Sequence, residues 1–95
     1  MAAYLLAEIE ITDPVGFDAY RRDVGEVITR FGGRYLARGG AAEVLEGDRA
    51  LRRTVLLEFP DMAQLKAFYA SPQYEPLLKL RMSSANTDAL IFEGV

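Results

Sequence analysis

The sequence contains no cysteine, no histidine and no tryptophan among its 95 residues. Without cysteine there are no disulfides and no thiol chemistry, which suits a reducing compartment. Zinc in its usual ligand sets and haem held by histidine or cysteine are excluded, so we expect no resident metal and no cofactor. A serine nucleophile would also lack its usual histidine base, and we interpret Ser71, which precedes Pro72, as a helix cap.

Long runs of basic residues are missing as well. Fourteen acidic and eleven basic side chains give a net charge of -3, and no basic run exceeds a pair such as Arg52-Arg53. Nucleic-acid binding needs a basic patch, so we exclude nucleic acid as a partner. The first ten residues, MAAYLLAEIE, lack a basic segment and soon contain acid, which predicts neither a signal peptide nor a membrane span. We therefore expect a cytoplasmic protein.

The hydrophobic content and its periodicity predict a single domain over residues 1–95. Hydrophobic residues make up 51% of the chain, which is enough for a core. Alternating apolar residues predict a first strand from Tyr4 to Ile11 and a last strand from Ala89 to Glu93. Asp13-Pro14 is typical of a helix start, and Gly32-Gly33 of the end of that helix.

The middle of the chain predicts a hairpin and two further helices. Ala42 to Glu46 and Arg52 to Phe59 flank Gly47-Asp48, a pair suited to a hairpin turn. Asp61 is expected to cap a second helix, and Ser71-Pro72 to begin a shorter third one. The order βαββαβ, with one additional short helix, predicts an α+β fold of the ferredoxin-like type, with an antiparallel sheet and helices on one face.

One face of the predicted sheet is too apolar for contact with water. Alternation places Leu6, Leu36 and Leu56 on the side away from the helices. A symmetric copy is the commonest partner for such a face. We therefore predict a homodimer that pairs sheet to sheet.

Residues 31–40 read FGGRYLARGG, a short strand between two glycine pairs. Alternation predicts Arg34 and Arg38 together on the covered face, where guanidinium groups need carboxylate or ligand partners. With Glu8 and Glu58 on neighbouring strands, the arginines could hold an oxyanion while a carboxylate moves protons. An ion-pair network between subunits would use the same residues, and both interpretations stay open.

Helical side chains add further candidates to this pocket. The helical tyrosines are either core residues with satisfied hydroxyls or hydrogen-bond donors to a ligand, and the arginine at the end of the third helix either stabilises that helix end or enters the pocket. The resulting hypothesis has the catalytic residues Glu58, Tyr69 and Tyr74, the ligand-binding residues Glu8, Tyr20, Arg34, Arg38 and Arg81, and no metal ligands.

Several segments of the chain together resemble a known family. They are TDP at residues 12–14, FGGRYLARGG, EVLEGD at residues 43–48, LEFP at residues 57–60 and FYASPQYEPLLKLR at residues 68–81. Over almost its whole length the chain is similar to the domain of unknown function 1330 family, in the dimeric α+β barrel superfamily. The resemblance implies a ferredoxin-like subunit and a dimeric barrel. Superfamily relatives include oxygenases, isomerases, haem enzymes and binding domains, so it implies no particular reaction.

Two functions from different classes remain open. One is a cofactor-free enzyme that acts on a small anionic or carbonyl compound through an arginine and carboxylate pocket. The other is a non-catalytic dimeric module, for ligand binding or regulation, in which the same arginines hold an effector. A cavity with a carboxylate beside the arginines would favour the enzyme, whereas fully paired charges without a cavity would favour a structural interface.

Overall fold

A computed structural model describes residues 1–95 as four strands and three helices. The elements in chain order are β1 (Ala3–Ile11), α1 (Pro14–Arg30), β2 (Arg34–Arg38), β3 (Arg53–Phe59), α2 (Met62–Tyr69), α3 (Glu75–Ser84) and β4 (Ala85–Glu93). The strands form one antiparallel sheet in the order β2-β3-β1-β4. This is the predicted ferredoxin-like α+β fold, with α3 as the additional helix.

The ends of the first two helices form as their sequences predict. The Asp13 carboxylate accepts a hydrogen bond from the Val15 N–H at 3.2 Å, and Pro14 occupies the first turn of α1. The Asp61 carboxylate accepts from the Gln64 N–H at 2.8 Å at the start of α2. Both caps satisfy backbone donors that have no partner within the helix.

The third helix begins later than predicted. The Ser71 hydroxyl accepts a hydrogen bond from the Tyr74 N–H at 3.1 Å and donates one to the Phe68 carbonyl at 2.8 Å. Ser71 is therefore a cap, as expected, but it closes a turn, and the helix begins only at Glu75.

None of the three helices is long and apolar enough to cross a membrane. The cytoplasmic location stays a prediction.

The predicted strand from Ala42 to Glu46 is wrong. Residues 39–52 connect β2 and β3 without any strand, and residues 41–51 are all exposed. An alternating pattern stabilises a strand mainly when one of its faces packs against another layer, and these residues have no such layer. The last strand is instead longer than predicted, because α3 leads directly into β4 at Ala85.

The core lies between the helices and one face of the sheet. Leu5, Ala7 and Ile9 alternate along β1 on this face, where Leu57 and Phe59 join them from β3. The helices and the turn before α3 cover this layer with the buried residues Phe17, Val24, Val27, Ile28, Leu65, Phe68 and Tyr74.

The opposite face of the sheet has no helix over it and remains partly apolar. Leu6 pairs with Leu56 on one side and with Leu90 on the other, so the three share this face. Phe92 stacks on Tyr4 there, with ring centroids 5.5 Å apart. Leu90 and Phe92 are 54% and 41% exposed, which leaves a continuous apolar strip in contact with solvent.

A β-bulge in β2 reverses the predicted face of Arg38 but not that of Arg34. Arg34 pairs with Glu58 and Tyr35 with Leu57, but the next pairs are Ala37 with Leu56 and Arg38 with Val55. One additional residue thus lies between Tyr35 and Ala37, and each residue after it changes face. The prediction that Arg34 and Arg38 share a face is therefore wrong: Arg38 faces the helices, and Arg34 faces away from them.

The close packing of the connection between α1 and β2 predicts that one additional methyl group there lowers the stability of the fold. A Cβ at Gly33 would lie 2.6 Å from the Phe59 ring and 2.8 Å from Ile28, and both side chains are buried. We expect Gly33→Ala to lower the free energy of unfolding by about 1–3 kcal/mol through overpacking. Gly40→Ala is the matched control, because a Cβ there meets nothing within 4 Å. Thermal denaturation of both variants tests this, and equal melting temperatures would contradict it.

Candidate functional site

A cavity lies between the sheet and the three helices. Its volume is about 60 Å³. Ala7 and Ala89, paired across β1 and β4, form part of the sheet wall, and their small side chains leave space that a larger residue would fill. The opposite wall is aromatic, with Phe17 and Tyr20 from α1 and Phe68 from α2. Most of the lining is hydrophobic.

A cluster of phenols and one guanidinium group forms the polar part of the helical wall. The hydroxyls of Tyr20 and Tyr74 lie 3.0 Å apart, and Arg81 Nε donates to the Tyr74 hydroxyl at 3.4 Å. Tyr69 completes the cluster, with its ring centroid 5.6 Å from that of Tyr74. Arg81 is only 8% exposed and forms no ion pair.

More arginines line the other end of the cavity. The guanidinium carbon of Arg38 lies 4.5 Å from the centroid of the Tyr35 ring, a cation–π contact. Arg53 lies on the neighbouring strand, and its Nε is covered and has no hydrogen-bond partner. Arg21 pairs with Asp18 at 2.7 Å at the surface. A surface groove shares these arginines with the cavity and also contains Asp18.

The lining of the cavity contains four arginines and no carboxylate. Arginine keeps its charge under all ordinary conditions. Arg81 is buried without a carboxylate partner, and such a charge is costly unless a ligand supplies one. The arrangement can therefore hold an anion, or an oxygen on which negative charge develops.

Two phenols that line the cavity, Tyr20 and Tyr35, are hydrogen-bond donors near neutral pH. Burial raises the pKa of Tyr20 well above its usual range, and the nearby Tyr74 phenol raises it further. Burial also raises the pKa of Tyr35, against a smaller opposing effect of Arg38. These hydroxyls therefore stay protonated and can donate hydrogen bonds to a ligand oxygen.

The acidic residues predicted for the pocket lie on the opposite face of the sheet. Arg34 Nε donates to Glu58 at 2.8 Å, and the Tyr4 hydroxyl donates to the same carboxylate at 3.1 Å. Glu8 pairs with Arg49 from the connection between β2 and β3. Hydrogen bonds from Arg34 and then Tyr4 lower the pKa of Glu58. Both carboxylates are thus paired within one chain.

The prediction that all eight candidate residues meet in one pocket is wrong. The structure brings five of these residues together and separates the other three from them. The cavity is lined by Tyr20, Arg38, Tyr69, Tyr74 and Arg81. Glu8, Arg34 and Glu58 lie across the sheet, because the strand register places them on the outer face. The individual roles of all eight stay predictions.

Arg53 and Thr87 also line the cavity, although neither was among the predicted site residues. Arg53 alternates with Val55 and Leu57 along β3, a pattern that indicates a side chain facing the helices. Thr87 lies in the part of β4 that was not predicted as strand, so the face of the sheet on which it lies could not be predicted from alternation. Its hydroxyl, like Arg53 Nε, is covered and has no partner.

A comparison with known protein families identifies the family of this chain. Residues 2–95 match the family described as Domain of unknown function (DUF1330). The chain belongs to the DUF1330 family. No curated protein sequence matches this DUF1330 protein.

Solved structures with the same fold come from several bacteria. A protein of unknown function from Rhodopseudomonas palustris is 20% identical, with a TM-score of 0.81 over 99% of this chain and 82% of that one. SnoaB, a cofactor-independent oxygenase from Streptomyces nogalater, is 11% identical, with a TM-score of 0.68 over 99% and 93%. A dimeric ferredoxin-like protein of unknown function from Jannaschia sp. CCS1 is 15% identical, with a TM-score of 0.67 over 99% and 100%. At these identities the similarity shows the fold alone.

The ion pair between Arg34 and Glu58 on the outer face predicts a measurable change in the pKa of Glu58. Because the pKa of Glu58 is lower in the folded protein, the pair stabilises the fold above the unfolded pKa of about 4.3, and this stabilisation is lost as the pH falls through the folded pKa. We expect Arg34→Met to raise the pKa of Glu58 more than Tyr4→Phe does, since Arg34 is the larger cause. Carboxyl ¹³C NMR titration measures both changes. A Glu58 pKa that is unaltered in Arg34→Met would contradict the pairing.

Proposed function

We propose that this DUF1330 protein is a cofactor-free enzyme that binds a small anionic or carbonyl compound in the cavity and stabilises its anionic form. The observation that carries this proposal is the cavity lining, with four arginines and no carboxylate. A pocket with apolar walls and a few convergent polar groups is the usual form of a small-molecule site. Unbalanced positive charge selects the anionic form of whatever binds there.

The chemistry that follows is an increase in the acidity of the bound compound. A cation about 4 Å from a developing negative charge contributes about 4 kcal/mol at the effective dielectric of a protein surface. Arg81 would supply this field, and the Tyr74 hydroxyl beside it would donate a hydrogen bond to the same oxygen, while Arg38 would add positive charge from the other end of the cavity. Because no carboxylate lines the cavity, the released proton would pass to water at the groove beside Arg21.

The comparison with SnoaB supports the absence of a cofactor in this proposal. That protein is named a cofactor-independent oxygenase, and it has the same fold over nearly the whole chain. The fold is therefore compatible with catalysis that needs no cofactor. Fold similarity is only an analogy, and the argument for this chain depends on its own arginines.

A specific observation favours the second candidate, a non-catalytic binding module. The predicted proton-transfer carboxylate Glu58 lies across the sheet, and no other carboxylate lines the cavity. A module needs only the anion site, without a general base. The two candidates differ in whether a bound carbonyl compound exchanges its acidic hydrogen faster than it does in free solution.

The anion site can be tested with 4-nitrophenol, whose anion absorbs visible light. We expect binding to lower the pKa of this phenol by about 1–3, since opposite charges within a few ångströms shift pKa values by this much. Arg38→Met should reduce the shift and leave the melting temperature nearly unchanged, because Arg38 forms no ion pair. Arg34→Met is the matched control on the other face of the same strand, and it should leave the shift intact.

An absorbance titration of the bound phenol gives the result directly. An unaltered pKa in the wild-type protein, or an equal loss in the Arg34 and Arg38 variants, would refute the anion site. Deuterium exchange into the methyl group of acetophenone, followed by NMR, then separates the two functions. Faster exchange that Arg38→Met abolishes supports the enzyme. Binding without faster exchange supports the module.

We also propose that the protein forms a homodimer through the outer face of the sheet. Leu6, Leu56 and Leu90 form an apolar strip on that face, and no helix covers it. The related protein from Jannaschia sp. CCS1 is described as dimeric, which supports self-association.

The homodimer predicts the effect of a charge in this strip. Leu56→Asp would place an unpaired carboxylate in the interface, which costs about 3–5 kcal/mol, so we expect dissociation or unfolding. Val15→Asp is the control, because Val15 is 81% exposed on the helical side. Analytical ultracentrifugation at micromolar concentration measures the mass. A wild-type monomer, or a stable Leu56→Asp dimer, would contradict the assigned interface.

A further inference from the structure

Two polar side-chain atoms beside the cavity are covered from solvent and have no hydrogen-bond partner. They are Arg53 Nε and Thr87 Oγ1. Such atoms are rare in folded proteins, where nearly every buried donor and acceptor is paired. Both residues line the cavity, and neither takes part in the phenol and guanidinium cluster. Each is a natural partner for a ligand oxygen.

The two residues lie on one row of the sheet, at opposite sides of the cavity. Ile9 pairs with Arg53 on β3 and with Thr87 on β4. Neighbouring strands lie about 4.7–4.9 Å apart, so roughly 10 Å separates the backbones of the two residues. The sheet wall between them is apolar, with Ile9, Ala7 and Ala89. A flat apolar segment of a ligand fits over this wall.

Each side of this apolar wall carries positive charge. Arg53 and Arg38 line the surface groove on the β2 and β3 side. Gly39 allows the Arg53 guanidinium to lie close to the chain, because a Cβ at Gly39 would come within 2.3 Å of it. On the β4 side, Thr87 and the buried Arg81 line both the cavity and a second groove. The cavity therefore has two cationic ends.

We propose that the ligand is an aromatic or similarly flat acid that carries a second oxygen at its far end. Its carboxylate would bind between Arg38 and Arg53, and its hydroxyl or carbonyl oxygen would lie at Thr87 and Arg81. The Thr87 side chain lines the cavity, so its unpartnered hydroxyl would need at most a rotation about χ1 to bind this oxygen. This inference rests on the proposed function, because the far oxygen is the one whose anionic form the Arg81 end stabilises.

Three probes separate the two ends of the cavity. They are 4-hydroxybenzoate, which has both groups, benzoate, which lacks the hydroxyl, and phenol, which lacks the carboxylate. Isothermal titration calorimetry on the wild-type protein should show that 4-hydroxybenzoate binds at least about tenfold more tightly than either of the others, the range expected for one additional satisfied hydrogen bond to a charged group.

Two variants assign these groups to their partners. Arg53→Met should weaken benzoate and 4-hydroxybenzoate by about tenfold or more and leave phenol unchanged. Thr87→Val should reduce 4-hydroxybenzoate to the affinity of benzoate and leave benzoate unchanged. Arg30→Met and Thr29→Val are the matched controls, because both positions are exposed near the end of α1 and do not line the cavity. They should bind all three probes as the wild type does.

The outcomes distinguish this inference from the proposed function. If none of the three probes binds, or if each variant weakens all three equally, the two-ended ligand is refuted. If the pKa shift of 4-nitrophenol persists at the same time, the anion site stands without it. If 4-hydroxybenzoate shows the expected pattern but 4-nitrophenol keeps its free pKa, the ligand class is supported, while stabilisation of the anionic form, and the enzyme with it, is refuted.

Discussion

The β-bulge between Tyr35 and Ala37 places two residues opposite Leu56, and the side chains that follow it change face. Tyr35 and Arg38 therefore both face the helices, although they are three positions apart in a strand. The guanidinium group lies over the phenol ring, where the cation and the aromatic face attract each other. In an uninterrupted strand Arg38 would face outward, and this end of the cavity would lose one of its cationic side chains.

Charged side chains are paired differently on the two faces of the sheet. On the outer face Glu58 is paired with Arg34, and Glu8 is paired with Arg49. Inside the cavity Arg38, Arg53 and Arg81 have no carboxylate partner, and Arg81 is held by the Tyr74 hydroxyl alone. Phenols satisfy a guanidinium donor without neutralising its charge. The positive charge therefore remains available to a ligand.

The lack of a carboxylate in the cavity shapes both candidate functions. An enzyme with this lining relies on the acidity of its substrate, which the arginine field increases, and on water to carry the proton away. A binding module uses the same field for affinity alone. The raised pKa of Tyr20 suits either function, because a protonated phenol donates a hydrogen bond to an anionic oxygen. The two candidate functions differ in whether the bound ligand reacts, and they use the same residues of the protein to bind it.

The sequence by itself determined the features that depend on near neighbours along the chain. The caps at Asp13 and Asp61, the glycine end of α1 and the alternation of β1 involve residues a few positions apart, and all form as predicted. The same alternation in β3 already pointed Arg53 toward the helices. Only the tertiary structure decided the bulge in β2, the strandless connection after it and the separation of Glu58 from Arg38. Strand register depends on packing between segments that are distant in sequence, and one additional residue reverses every side chain beyond it.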